Sequence, residues 1–179
     1  MAMTLITTNP DSTDVASVTF DSGIDSTYKL YIFKFINVNP ATDNVTFFFK
    51  ANAAGGSGYN ETITSTMFRA YHYESGSSTA LGYQTSYHQS QDAAYQPIGY
   101  AIGDDADGSL AGELHLFNPS GTTYVKHFYA TTSVMSSGTT YSLATWTGGY
   151  FNTTSAIDDI NFKMSSGNMD GVIKLYGVA

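Results

Sequence analysis

Cysteine is absent from the 179 residues, so no disulfide and no thiolate metal site can form. The chain suits assembly in a reducing cytoplasm, and at this length a single domain can bury a sizeable core without staples. Basic residues are few: Lys and Arg total 7 against 15 Asp and Glu, a net charge of -8. Lys29, Lys34, Lys50, Arg69, Lys126, Lys163 and Lys174 are scattered, and a surface of this sign repels phosphate. Nucleic acid is therefore not an expected partner. No apolar run approaches the roughly 18 residues of a membrane span. Met1 to Ile6 has neither the basic start nor the long apolar run of a signal peptide. Glutamate is scarce, with only Glu61, Glu74 and Glu113, so a paired-carboxylate site would need Asp.

Aromatic residues are abundant instead, at 15% against 12% charged, with 14 Tyr and 11 Phe. Such a chain can stack and pack widely but has few groups for acid, base or nucleophile chemistry. Thr27 to Val38 (TYKLYIFKFINV) is the strongest strand pattern. Tyr31, Phe33 and Phe35 lie on one face and Leu30, Ile32 and Ile36 on the other. Asn39 to Asn44 reads as a turn, and Val45 to Ala51 returns as a strand, giving an expected hairpin. Further strand-like segments alternate with Gly, Ser and Asn clusters to the end of the chain. Roughly eight to ten strands at regular turn spacing predict an all-β antiparallel two-sheet sandwich, jelly-roll-like, in one domain from residue 15 to 179. Residues 1–14 read as an N-terminal arm, polar but for Leu5 and Ile6. It is either loose or docked on a neighbouring subunit, with those two residues as anchors.

The candidates for chemistry are sparse. Asp104, Asp105 and Asp107 crowd one loop and are the candidate metal ligands. However, Gly103 and Leu114 stand where a calcium-binding helix–loop–helix motif needs oxygen ligands. The plainer reading is a solvated hairpin loop, and no cofactor is expected. His72, His88, His115 and His127 are too far apart for a local metal motif. Alternation puts His115 with Glu113 and Phe117, opposite Leu114 and Leu116. No nucleophile elbow or phosphate-binding glycine loop occurs, so an enzyme is not expected. Asn44, Asn60 and Asn152 begin sequons that read as chance matches. Trp146, Tyr150 and Phe151 flank Gly148-Gly149 and are the candidate ligand contacts, either stacking on a sugar ring or closing one end of the sandwich. A two-layer sandwich covers one face of each strand. The other face needs a cover, either a neighbouring subunit or a long loop of the same chain, and Tyr31, Phe33, Phe35, Phe47, Phe48 and Phe49, with Leu5 and Ile6, are the expected homo-oligomer interface.

Several segments carry a resemblance: Asp25-Ser26-Thr27-Tyr28-Lys29, Asn39 to Asp43, Phe117-Asn118-Pro119-Ser120, Lys126-His127-Phe128, Phe162 to Asn168 and Gly171 to Gly177. In these the chain resembles small virion-associated proteins of marine and freshwater tailed bacteriophages, the cyanophages and pelagiphages among them. The resemblance runs from about Asp25 to Gly177 and brings no functional residues with it. It implies a non-enzymatic structural protein on the particle exterior, as head decoration or tail-fibre component, assembled in the host cytoplasm. The implied partners are further copies, with a trimer favoured, and other virion proteins. Two alternatives stand beside it: a carbohydrate- or receptor-binding module contacting a host surface glycan, and a bacterial surface-fibre subunit with strand exchange.

Overall fold

The computed structural model describes residues 2–9, 12–137 and 140–179. Within the expected arm, Met1, Pro10 and Asp11 lie outside the described residues, as do Gly138, which the sequence places in a Ser136-Ser137-Gly138 turn, and Thr139, where it starts the next strand. Fourteen strands are described: β1 (Met3–Thr8), β2 (Ser12–Val15), β3 (Val18–Phe20), β4 (Leu30–Pro40), β5 (Val45–Ala53), β6 (Ile63–Tyr73), β7 (Thr79–Tyr83), β8 (Ser90–Asp92), β9 (Gln96–Ile102), β10 (Leu110–Phe117), β11 (Lys126–Met135), β12 (Tyr141–Phe151), β13 (Ile157–Met164) and β14 (Met169–Val178). A single 3-10 turn, Thr85–Tyr87, interrupts them.

Two antiparallel sheets pack face to face. The larger has ten strands and runs β1-β14-β4-β10-β11-β12-β6-β7, with β2 on β14 and β8 on β6; the smaller runs β3-β13-β5-β9. The fold is an all-β sandwich. Its centre has jelly-roll connectivity, in which β1-β14-β4-β10 faces β3-β13-β5-β9 and the chain crosses repeatedly between them. Two insertions enlarge the first sheet on one side: β11 and β12 after β10, and β6 to β8 after β5.

This connectivity corrects two expected hairpins. β4 pairs with β10 and β14, whereas β5 pairs with β13 and β9, so Pro40 to Asn44 carries the chain from one sheet to the other. The apolar alternation of the two strands meets across the core, where Phe35 and Phe47 make an edge contact at 5.2 Å. β9 and β10 are likewise split between sheets, so the Asp104–Asp107 loop is a crossover. Asn39 holds it by donating to the Asp105 and Gly108 carbonyls.

The expected interface is corrected as well. Tyr31, Phe33, Phe35, Phe47 and Phe49 are all buried in the core between the sheets. The residues on the far side of β4 find cover within the chain. Ile32 is buried between its cross-strand neighbours His115 and Tyr176, and only Ile36 remains exposed. Phe48 is half-buried beside Tyr95.

The arm is a strand of its own domain. β1 and β2 take successive parts of one edge of β14, Met3 opposite Val178 and Leu5 opposite Tyr176, then Val15 opposite Met169. Ser12 Oγ donates to the Gly171 carbonyl at 2.9 Å. Ile6 packs against the core, while Leu5 points outward and is exposed. Docking is thus within the chain, because β14 offers a free ladder beside the sequence that can fill it. Deleting residues 1–9 strips that ladder and Ile6. It is expected to cost about 1–2 kcal/mol by urea denaturation, and an unchanged midpoint would show that β1 adds nothing.

Candidate functional site

Strand alternation gives the larger sheet a face turned away from the sandwich. On β12, Leu143, Thr145, Thr147 and Phe151 point inward and are buried, so Trp146, Gly148 and Tyr150 point outward. Residues directly opposite in neighbouring strands share a face. One row therefore reads Tyr83, Phe68, Trp146, Thr131, Glu113, Lys34 from β7 to β4. The adjacent row reads Thr66, Gly148, Tyr129, His115, Ile32, Tyr176 from β6 to β14.

Large rings stand exposed here: Phe68 at 43%, Tyr83 at 56% and Tyr129 at 41% relative exposure, with Phe117 beside them. They pair in stacks. Phe68 lies parallel to Trp146 at 5.0 Å and 9°, His115 to Tyr129 at 4.3 Å and 18°, and Tyr83 to His88 at 5.7 Å. His127 meets Tyr150 edge-on at 5.7 Å. Two hollows adjoin Trp146. A slot of about 290 Å³ lies over Gly148 between Tyr129, Thr66 and Phe68. A trough of about 480 Å³ runs over Thr131 and Ser133 towards Glu113 and Lys34.

The charges on this face balance locally. Glu113 accepts from Lys34 through one oxygen and lies 2.8 Å from His115 Nε2 through the other. Partial burial pushes the Glu113 carboxyl up, but its bonds to Lys34 and His115 and their charges outweigh this and hold it below its usual range. Burial, with the Glu113 charge, pushes the Tyr129 phenol up, so its hydroxyl stays a proton donor at neutral pH.

The structure brings Trp146 and Tyr150 onto this face and separates Phe151 from them, fully buried beside Phe49 and Phe128. Adjacent strand residues point to opposite sides, which corrects the grouping of Tyr150 with Phe151. Asp104, Asp105 and Asp107 are exposed on their loop. No group of three or more His, Asp or Glu placed to hold a metal ion occurs among the described residues. The sequence reading missed Phe68, Tyr83 and Tyr129 as members of the face, as well as the floor at Gly148. Their common signal is outward parity on strands that become neighbours. Among the described residues no helix is long and apolar enough to cross a membrane.

No family model matches the chain, and no curated protein does. A crystal structure of a Bacteroides ovatus protein of unknown function is similar over 58% of this chain and 45% of its own, at 6% identity and a TM-score of 0.31. The similar region is thus less than half of that protein.

Proposed function

We propose that this chain is a non-enzymatic contact protein on the exterior of a tailed-phage particle, and that the outer face of its larger sheet is the working surface. The observation that supports this reading is the gathering of exposed rings on that face, Phe68, Tyr83, Phe117 and Tyr129 with Trp146 among them. A soluble domain rarely leaves so much apolar surface in one patch unless something covers it, and aromatic residues carry most contact energy. The place on a particle comes from the sequence resemblance alone. An antibody to the recombinant chain, read by immunogold microscopy on intact particles, is expected to decorate their exterior. A Tyr129→Ala, Trp146→Ala double variant is expected to keep its β-rich circular dichroism and its place on the particle and to lower the particle's adsorption to its host. Unlabelled particles, or variant particles that adsorb as well as the parent, would overturn the proposal.

Self-association is the second reading, favoured by the free edges of the larger sheet. β7 is exposed along its whole length at one edge, and β1 lies at the other. β7 against β7 of a second copy closes as a dimer, whereas β7 against β1 of the next can close a ring, as a trimer requires. Light scattering is expected to give a multiple of the 19.3 kDa chain mass. A monomer throughout the micromolar range removes this reading.

A further inference from the structure

We infer that the slot over Gly148 and the trough beside Trp146 bind a neutral oligosaccharide, one pyranose ring in each hollow. This rests on the outer face being the working surface and names what it contacts. His115 covers one face of the Tyr129 ring and Phe68 one face of the Trp146 indole. Both rings also line the adjoining hollows, Tyr129 the slot and Trp146 the slot and the trough. Tyr129 stands beside Gly148, its neighbour across the ladder, and Trp146 beside Thr131. Each hollow therefore has an aromatic wall and a small residue as its floor.

A pyranose fits this chemistry. Its C–H groups carry slight positive charge and lie against the negative face of an aromatic ring, while its hydroxyls project around the rim. The rims here mix donors and acceptors: the hydroxyls of Thr66, Thr131 and Ser133, the Trp146 indole N–H, the Lys34 ammonium and the Glu113 carboxylate. The charge pattern chooses among sugars. Lys34, Glu113 and His115 already satisfy one another, so neither an acidic nor a basic sugar finds an unbalanced partner. The net charge of -8 further opposes an acidic one. A second copy of this chain carries the same charge, and a flat protein face would bridge the slot over Gly148 rather than fill it.

Gly148 is the specificity-determining position. A Cβ there meets nothing within 4 Å, and the backbone is not left-handed, so Gly148→Val adds a side chain to the slot without strain. Valine also suits a strand.

Trp146 is the only tryptophan, so intrinsic fluorescence reports on the site directly. The full chain is titrated to about 10 mM with cellohexaose, xylohexaose, laminarihexaose, maltohexaose and mannohexaose, and with sialyllactose and hexagalacturonate as charged probes. A saturable change is expected with at least one neutral hexasaccharide. It is expected to be at least about tenfold weaker in Gly148→Val and Tyr129→Ala, with the thermal midpoint of Gly148→Val no lower than the parent's. Three results would overturn the inference: no saturable change with the neutral set, tighter binding of a charged probe, or parental affinity in Gly148→Val. Where no sugar binds, host adsorption of particles carrying the Tyr129→Ala, Trp146→Ala double variant separates the two readings. Reduced adsorption leaves the contact face standing and removes the sugar, whereas parental adsorption removes both.

Discussion

Replacing Phe162 by Ala is expected to destabilise the domain by about 3–5 kcal/mol, the largest loss from any single truncation in this chain. Phe162 lies on β13, between β3 and β5 in the smaller sheet, and is fully buried. Its ring meets five others: Phe33 at 5.2 Å, Phe35 at 5.3 Å, Phe47 at 5.9 Å, Phe20 at 6.2 Å and Phe49 at 6.4 Å. Those rings come from both sheets, so truncation opens a hole where the layers join. Rigid phenyl groups collapse poorly into such a space, and the edge-on contacts with Phe20 and Phe35 are lost as well. Urea denaturation should show a lower midpoint with an unchanged slope. Phe162→Leu keeps most of the volume and is expected to cost under about 2 kcal/mol. Tyr124→Ala, at a site 74% exposed, should stay within about 0.5 kcal/mol of the parent. A loss below about 1 kcal/mol in Phe162→Ala would mean that the core repacks freely, contrary to its close packing.

The sandwich was legible in the sequence because period-two alternation acts locally. In β4 it put Tyr31, Phe33 and Phe35 on one face, and that face is the core. The choice of partner strand was not legible. Two strands joined by a short turn can pair side by side or face each other across the core, and both arrangements satisfy the same apolar pattern. The Asn39 to Asn44 turn makes the second choice. β1 left almost no trace, since an edge strand held by backbone hydrogen bonds needs only Ile6 against the core. β8 has three residues, too few to display a period.

The candidate site was legible only in part, for a similar reason. Trp146 and Tyr150 stood out beside two glycines. Tyr129 lies one strand away in chain order, but Phe68 reaches Trp146 only because β6, inserted before β9, returns to pair with β12. The stacked face thus comes from the sheet order, which local patterning does not encode. The same order makes Gly148 a floor rather than a turn: it sits between Thr66 and Tyr129 in the ladder, with open space above it.

Raising the pH from about 8 to about 10 is expected to stabilise this protein, and Lys50 is the main cause. Lys50 lies on β5 opposite the core side, with no exposed surface, and its Nζ donates to the Ala94 carbonyl at 2.9 Å. Burial pushes the ammonium down from 10.5 to about 8, against the opposing pull of the Asp92 and Glu61 charges. The folded value thus lies below the unfolded one. Below about pH 8 both states hold the proton and the cost of burying charge is fully present. Between the two values the unfolded chain holds the proton and the folded chain does not, so stability rises with pH, by about 3 kcal/mol at most. Lys126, also buried, is pushed down by burial and acts in the same direction. Tyr59 acts oppositely. Burial, then its hydrogen bond to Asp159 at 2.6 Å, pushes its phenol up to about 12, so its stabilisation is present below pH 10 and fades towards 12. The thermal midpoint should therefore peak near about pH 10. In Lys50→Met the Ala94 carbonyl keeps its bond from Gln89 Nε2 at 2.9 Å, so no buried acceptor is orphaned. That variant is expected to be at least as stable as the parent at pH 7 and to lose most of the alkaline rise, the remainder belonging to Lys126. A parent whose midpoint falls steadily from pH 7 to 10, or a variant that keeps the full rise, would show that Lys50 is not the titrating group.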